Sequence, residues 1–100
     1  MAPKSGTVYI LASSRNGTLY LGVTSNLAGR VRQHKEGRTP GFSSRYAVSR
    51  LVWFETHARI VDAIAREKQL KKWRRAWKLE LTEATNPGWL DLYDRVAYDG

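Results

Sequence analysis

The chain has 100 residues, 42% of them hydrophobic, and its 17 lysines and arginines against nine acidic residues give a net charge of +8. This length predicts one domain over residues 1–100, and the absence of cysteine excludes disulfides, thiolate nucleophiles and cysteine-based zinc sites. The charge favours nucleic acid over a membrane as partner, because no apolar run of about 18 residues, amphipathic anchor or lipidation signal accompanies it. With no signal-peptide pattern at its start, we expect a cytoplasmic protein.

Two strands joined by a tight turn are predicted first. Residues 7–12 and 18–24 are rich in β-branched and aromatic side chains, which favour extended structure. Between them lies Asn16-Gly17, a dipeptide that commonly occupies the centre of a two-residue hairpin turn. The sequence therefore predicts a β-hairpin.

The hairpin has one aliphatic and one aromatic face. A two-residue turn pairs Tyr9 with Thr24, and alternation along each strand then separates the side chains into two sets. The aliphatic set consists of Val8, Ile10, Leu19, Leu21 and Val23. The other set consists of Tyr9, Tyr20 and Gly22, and two tyrosines beside a bare glycine are an unusual composition for a core.

The remaining elements alternate between helix and strand. Thr24 or Ser25 is expected to cap the next helix. We predict a helix over residues 26–36, a loop over 37–47, a strand over 48–54, a helical segment over 58–82 that can break near Trp73, and a tail over 89–100 that packs back through Trp89, Leu90, Leu92 and Tyr93. This order predicts an α+β fold, with a small three-stranded antiparallel sheet flanked by helices.

One acidic residue interrupts the apolar stripe of the long helical segment. At 100° per residue, the stripe contains Ile60, Ala63, Ile64 and Leu70, and Glu67 falls in its middle. A carboxylate among apolar neighbours is costly unless it has a partner. Two interpretations follow: a salt bridge from Glu67 to Lys71, four residues on, or coordination of a metal ion by Glu67.

Positive charge is densest around Glu67. Seven basic residues lie within thirteen positions: Arg66, Lys68, Lys71, Lys72, Arg74, Arg75 and Lys78. We expect nucleic-acid contacts from Lys68, Lys71, Lys72, Arg74 and Arg75, and from Arg38 and Arg45 in the preceding loop. Trp73 and Trp77 are interleaved with this charge; they can stack on bases or fill the core, and the core is the favoured interpretation.

Arg30 and His34 lie one turn apart on the first predicted helix, beside Leu27 and Val31. A guanidinium next to an imidazole suits phosphate binding and proton transfer. A simple pair of surface residues is the alternative, and the helix alone favours it.

These residues, in this order, resemble the GIY-YIG nuclease family, in particular its small stand-alone bacterial members. The two tripeptides that name the family correspond here to Thr7-Val8-Tyr9 and Tyr20-Leu21-Gly22. Arg30 follows Tyr20 by ten residues, as the family's arginine does, and His34 lies where members carry His or Tyr. Glu67 matches the metal-binding glutamate, so the resemblance extends from about Gly6 to Lys78.

The resemblance implies a metal-dependent endonuclease that hydrolyses phosphodiester bonds in DNA, whether branched, damaged or single-stranded. Glu67 would hold Mg²⁺ or Mn²⁺, and Tyr9 or Tyr20 would act as the base toward water with help from His34. Arg30 would stabilise charge on the phosphate, and Gly22 would let the substrate approach closely. Because the ordinary pKa of tyrosine is about 10, the mechanism needs cationic neighbours that lower this pKa.

A non-catalytic nucleic-acid-binding module on the same scaffold is the rival interpretation. Val23 supports it, because some family members carry a lysine at this position, directly after the glycine of the second motif. DNA is preferred to RNA as the partner, with no membrane contact. A domain this small also suggests that a protein partner or self-association supplies targeting.

Overall fold

The computed structural model describes residues 4–37 and 48–99, which form a three-stranded antiparallel sheet flanked by helices. The elements in chain order are β1 (Gly6–Ala12), β2 (Leu19–Thr24), α1 (Leu27–Lys35), β3 (Arg50–His57), α2 (Ile60–Lys71), α3 (Arg75–Thr85) and α4 (Tyr93–Asp99). The strand order is β2-β1-β3, so β1 lies in the centre. The predicted α+β class is confirmed.

The hairpin register differs from the prediction by two residues. Tyr9 lies opposite Gly22, so its predicted pairing with Thr24 was wrong. The loop contains four residues, because the amide of Ser13 donates to the carbonyl of Thr18 at 3.0 Å and the Thr18 amide donates to Ser13 Oγ at 3.0 Å. A shift of two residues preserves the alternation of side chains, so both faces keep their predicted members.

Different helices cover the two faces of the sheet. The aliphatic face packs against α2, and its buried cluster contains Val8, Ile10, Ala12, Val52, Trp53, Ala63, Leu70 and Trp89. Leu19, Leu21 and Val23 pack against this cluster, as predicted. The tyrosine face packs against α1 and α4, and its buried cluster contains Tyr9, Leu11, Leu27, Val31, Val48, Leu51 and Leu92.

The long helical segment breaks where the sequence allowed it. Residues 72–74 separate α2 from α3, so the break lies at Trp73. Within the ranges that the structure describes, no helix is long and apolar enough to span a membrane.

The N-cap of α1 is Asn26, whose Oδ1 accepts from the amide of Gly29 at 3.1 Å. The predicted caps, Thr24 and Ser25, were wrong because the helix begins later in the chain. Thr24 instead ends β2, and its hydroxyl accepts from the Asn26 amide at 3.0 Å.

The tail is fixed to the sheet by the residue that stops α3. The Asn86 amide group donates to the carbonyls of Val52 at 3.1 Å and Leu90 at 2.9 Å. Trp89 is fully buried, as expected for a tail that packs back, but Leu90 is exposed, contrary to the prediction. Asn86 therefore has a structural task in this protein.

Candidate active site

Tyr9 lies at the centre of the sheet and is only 1% exposed. Its ring extends over Gly22 on the neighbouring strand, where an added Cβ would lie 2.5 Å from Tyr9 Oη. Any other residue at position 22 would therefore displace the phenol. The group that approaches Gly22 closely in the structure is thus the Tyr9 hydroxyl.

Three rings meet on the tyrosine face. Leu27 and Val31 pack α1 onto the sheet, and this packing turns His34 inward until it is 5% exposed. His34 Nε2 lies 3.4 Å from Tyr9 Oη, within reach of a hydrogen bond. The ring centroid of Tyr20 lies 6.3 Å from that of Tyr9 and 5.1 Å from that of His34. Tyr20 is half-buried, so it is the tyrosine that solvent reaches.

Arg30 connects this cluster to an open polar groove. Its guanidinium interacts electrostatically with the side chains of Tyr9 and Tyr20, and its Nη1 donates to Gln33 Oε1 at 3.2 Å. The groove beside it is lined by Thr24, Asn26, Gly29, Arg30, Arg32, Gln33 and Glu36. An anion in this groove would meet the guanidinium of Arg30, which also acts on both tyrosines.

Burial dominates the ionisation of the cluster. It lowers the pKa of His34 below its ordinary value, and the charge of Arg30 adds to this effect, so the imidazole is neutral at pH 7. Burial also raises the pKa of Tyr9. Arg30 lowers the Tyr9 pKa by hydrogen bonding and by its charge, but burial outweighs both. We expected cationic neighbours to bring the tyrosine pKa below its ordinary value. The charge of Arg30 alone does not do so for Tyr9, because the net change in its pKa is an increase.

Glu67 is placed on α2, between the buried residues Ala63 and Leu70, and its side chain is 14% exposed. Its Oε1 forms an ion pair with Lys71 Nζ at 3.3 Å, and the Lys71 side chain is 57% exposed. Although α2 packs on the aliphatic face, the charge of Glu67 raises the pKa of Tyr9. The carboxylate is therefore within electrostatic reach of the ring cluster, and the pair that the sequence offered as an alternative to metal binding is present.

The basic residues predicted to bind nucleic acid have different surroundings. Arg75 donates to the carbonyls of Asn16 at 2.7 Å and Gly17 at 2.6 Å, which ties α3 to the hairpin loop. Lys68 and Lys72 line an open groove on the outer side of α2. Lys71 pairs with Glu67, and Arg74 covers an indole ring. The other two predicted residues, Arg38 and Arg45, lie outside the described residues.

The sequence prediction missed an exposed aromatic surface. Trp77 was assigned to the core, yet it is 47% exposed, while Trp73 packs partly against the aliphatic cluster. The buried residue Thr82 marks the inner side of α3, and at 100° per residue Trp77 points well away from it. Because Thr82 is polar, the hydrophobic pattern of α3 does not mark its inner side, and the exposure of Trp77 could not be read from the sequence.

Residues 5–80 match the GIY-YIG catalytic domain family. The chain belongs to this family. A UPF0213 protein of Syntrophus aciditrophicus is 38% identical over a 78-residue alignment that covers 74% of this chain and 85% of that protein. A UPF0213 protein of Clostridium perfringens is 35% identical over 74% of this chain and 78% of its own length. No solved structure matches the chain.

GIY-YIG domains are generally endonucleases, so membership indicates nucleic acid as the partner. Of the residues that the sequence analysis matched to the family, Tyr20, Gly22, Arg30 and His34 lie around Tyr9, whereas Glu67 lies on α2. Val23, which stands where some members carry a lysine, pairs with Val8 and packs against the aliphatic cluster. In this protein that position contributes to the core.

Proposed function

We propose that the chain is a divalent-metal-dependent endonuclease that hydrolyses phosphodiester bonds in DNA, with branched, damaged or single-stranded DNA as substrate. The observation that carries the proposal is the convergence of Arg30, His34 and Tyr20 on the Tyr9 side chain, within a GIY-YIG domain. This arrangement provides a proton acceptor and a phosphate-binding cation at one place.

Glu67 fits the metal that the proposal requires, Mg²⁺ or Mn²⁺. A carboxylate oxygen is the ligand that such hard cations prefer, and the partner of Glu67, Lys71, is exposed and able to move away. The described residues contain no cluster of three or more His, Cys, Asp or Glu side chains suited to a metal. Glu67 would therefore serve with water and phosphate oxygens, as is common for Mg²⁺. A bound ion would neutralise charge on the scissile phosphate and the leaving oxygen.

The rings would carry the proton released by the attacking water. A neutral His34 can accept a proton, and the Tyr9 hydroxyl lies 3.4 Å from His34 Nε2. Because burial raises the pKa of Tyr9, its hydroxyl stays protonated near neutral pH and no tyrosinate is available as a base. The hydroxyl can accept a proton while donating its own to His34, which avoids a free tyrosinate. Tyr20, which solvent reaches, would contact the water and the substrate.

Arg30 would act on the phosphate. Its guanidinium remains charged at any pH that the fold tolerates, and it faces the polar groove from the ring cluster. A scissile phosphate bound there would have a cation on the same side as the proton acceptor. Preorganised charge of this kind stabilises the transition state without reorganisation during the reaction.

The proposal is tested by incubating the protein with branched, nicked and single-stranded DNA and with matched RNA, each with Mg²⁺, Mn²⁺ or EDTA. We expect cleavage of at least one DNA substrate with a metal ion and none with EDTA. Cleavage confined to RNA would reassign the substrate, and cleavage in EDTA would contradict the metal requirement.

The Glu67–Lys71 ion pair favours one rival, a non-catalytic nucleic-acid-binding module, because it gives Glu67 a partner other than a metal. This rival predicts that the protein binds the same substrates but cleaves none of them. Binding in EDTA is expected of both functions, so cleavage of the bound substrates after Mg²⁺ or Mn²⁺ is added distinguishes them.

A further inference from the structure

Two tryptophans form an exposed surface at the break between α2 and α3. We define the indole surface as Trp73, Trp77, Lys68, Lys72 and Arg74. The indoles meet edge to face, with centroids 5.9 Å apart and planes at 85°. Trp73 is anchored on the aliphatic cluster, whereas Trp77 is 47% exposed. Trp77 thus packs edge to face on its anchored neighbour while nearly half of its surface faces solvent.

Cations surround this apolar surface. The Arg74 guanidinium lies 5.5 Å from the centroid of Trp77, and the Arg66 guanidinium lies 5.4 Å from that of Trp73. Lys68 and Lys72 are exposed, lie one turn apart and line the groove that contains both indoles. Glu80 is the acidic residue on the neighbouring groove. The balance of charge around the indoles is therefore positive.

This combination fits a nucleic-acid strand with unpaired bases. Every base presents a flat face that stacks on an exposed indole, and the phosphates on either side complement lysines and arginines. Bases inside a duplex are already stacked on each other and cannot reach the ring of Trp77. An apolar protein partner would be opposed by the cations around the surface, which it would have to desolvate.

We propose that the indole surface binds an unpaired strand, with a base stacked on Trp77 and phosphates on Lys68 and Lys72. The Arg74 guanidinium, which covers Trp77 in the free protein, would give way to the base and contact a phosphate. Lys68 follows Glu67 directly in α2, so the strand would continue toward the candidate active site. This inference rests on the proposed function, since it gives the substrate an unpaired segment near the scissile bond.

The experiment measures binding of the full chain in EDTA to a labelled single strand of about 12 nucleotides and to a blunt-ended duplex with no unpaired bases. Trp77→Ala should weaken binding of the single strand by about five- to 150-fold, the range for loss of one base–aromatic stack. Binding of the duplex should be unchanged. Leu90→Ala, which removes an exposed apolar side chain elsewhere, is the matched control and should bind both probes like the wild type.

Tryptophan fluorescence provides a second measurement that does not depend on the alanine variant. The single strand should quench wild-type emission, while Trp77→Phe should retain most of the affinity but lose most of the quenching. Unchanged single-strand affinity in Trp77→Ala, equal losses for single strand and duplex, or full quenching in Trp77→Phe would each overturn the proposal.

The same samples separate this inference from the nuclease proposal when metal is added. Trp77-dependent binding without any cleavage would support the indole surface as a binding site and contradict the nuclease proposal. Cleavage combined with Trp77-independent binding would support the nuclease proposal and contradict the binding role of the indole surface.

Discussion

The two faces of the sheet are built from the same strands but differ in the chemistry of their side chains. On one face, Val8, Ile10 and Leu21 pack against α2 with no polar group among them. On the other, Tyr9 and Tyr20 lie beside His34 and Arg30. The two tyrosines and the histidine can donate or accept a proton, and the arginine supplies a fixed positive charge. Adjacent residues of β1 therefore belong alternately to a core and to a candidate site.

This contrast indicates that stability and chemistry can be altered separately in this protein. A residue on the aliphatic face contributes mainly through apolar burial, whose loss lowers the free energy of unfolding. A polar atom on the tyrosine face contributes through proton and charge positions, and its loss changes the reaction more than the fold. Glu67 tests the contrast most severely, because its helix packs on the aliphatic face while its charge acts on Tyr9.

The largest effect is expected from Glu67→Gln. If Glu67 holds the metal, cleavage should fall by about two orders of magnitude or more, because the amide cannot replace a charged ligand. Binding of DNA should survive, since the basic residues remain, and the thermal midpoint should stay the same or rise, since a largely buried charge is removed.

Glu83→Gln, an exposed change on α3, is the matched control and should leave both cleavage and stability unaltered. A structural salt bridge with Lys71 would give the opposite pattern, namely normal cleavage and a small loss of stability, about 0.3–0.5 kcal/mol. Unchanged metal-dependent cleavage by Glu67→Gln would remove this residue from the candidate site.

The next effect compares neighbours in β1. Tyr9→Phe removes one oxygen from the tyrosine face and should slow cleavage by about 100-fold or more, the usual contribution of a general base, with little change in stability. Ile10→Ala empties part of the aliphatic core and should lower the free energy of unfolding by about 2–5 kcal/mol, while the folded fraction keeps its cleavage rate. Urea denaturation and initial rates on both variants check the pair; matching profiles would contradict the separation of the two faces.

Much of the fold was accessible from the sequence because it depends on local patterns. Alternation in the first two strands assigned each side chain to its face, and the break at Trp73 followed from the helical pattern. The register and the cap of α1 were wrong because each depends on a few side-chain hydrogen bonds. Ser13 lengthens the turn through its hydroxyl, and Asn26 offers an acceptor nearer to the first free amides of α1.

The sequence predicted that Tyr9, Arg30 and His34 lie near one another, but it did not predict the environment in which they lie. Spacing placed Arg30 and His34 on one side of α1, and the structure brings both to Tyr9. The direction of the Tyr9 pKa could not be obtained from spacing, because burial and a hydrogen bond to Arg30 oppose each other there. The exposure of Trp77 was missed because it depends on how α3 turns after the break.

The smallest effect concerns the ionisation of His34. Burial and the charge of Arg30 lower its pKa in the folded protein, whereas the unfolded chain has the ordinary value of about 6.5. Below that pH the unfolded chain binds more protons than the folded one, so stability is lost as the pH falls through the lowered pKa. Above pH 6.5 the contribution is complete and constant. His34→Gln should therefore weaken the decline of stability on acidification.

Nuclear magnetic resonance gives the direct measurement, because the chain has only two histidines and His57→Gln assigns their signals. The His34 ring should titrate below its ordinary pKa, and Arg30→Gln should raise that pKa, because a neighbouring positive charge is removed. The increase should be partial, because burial is the larger cause and remains in the variant. A His34 pKa well above 7 in the wild type would mean that the imidazole is charged near neutrality. It could not then accept the proton from Tyr9, and the tyrosine face would bind phosphate without activating water.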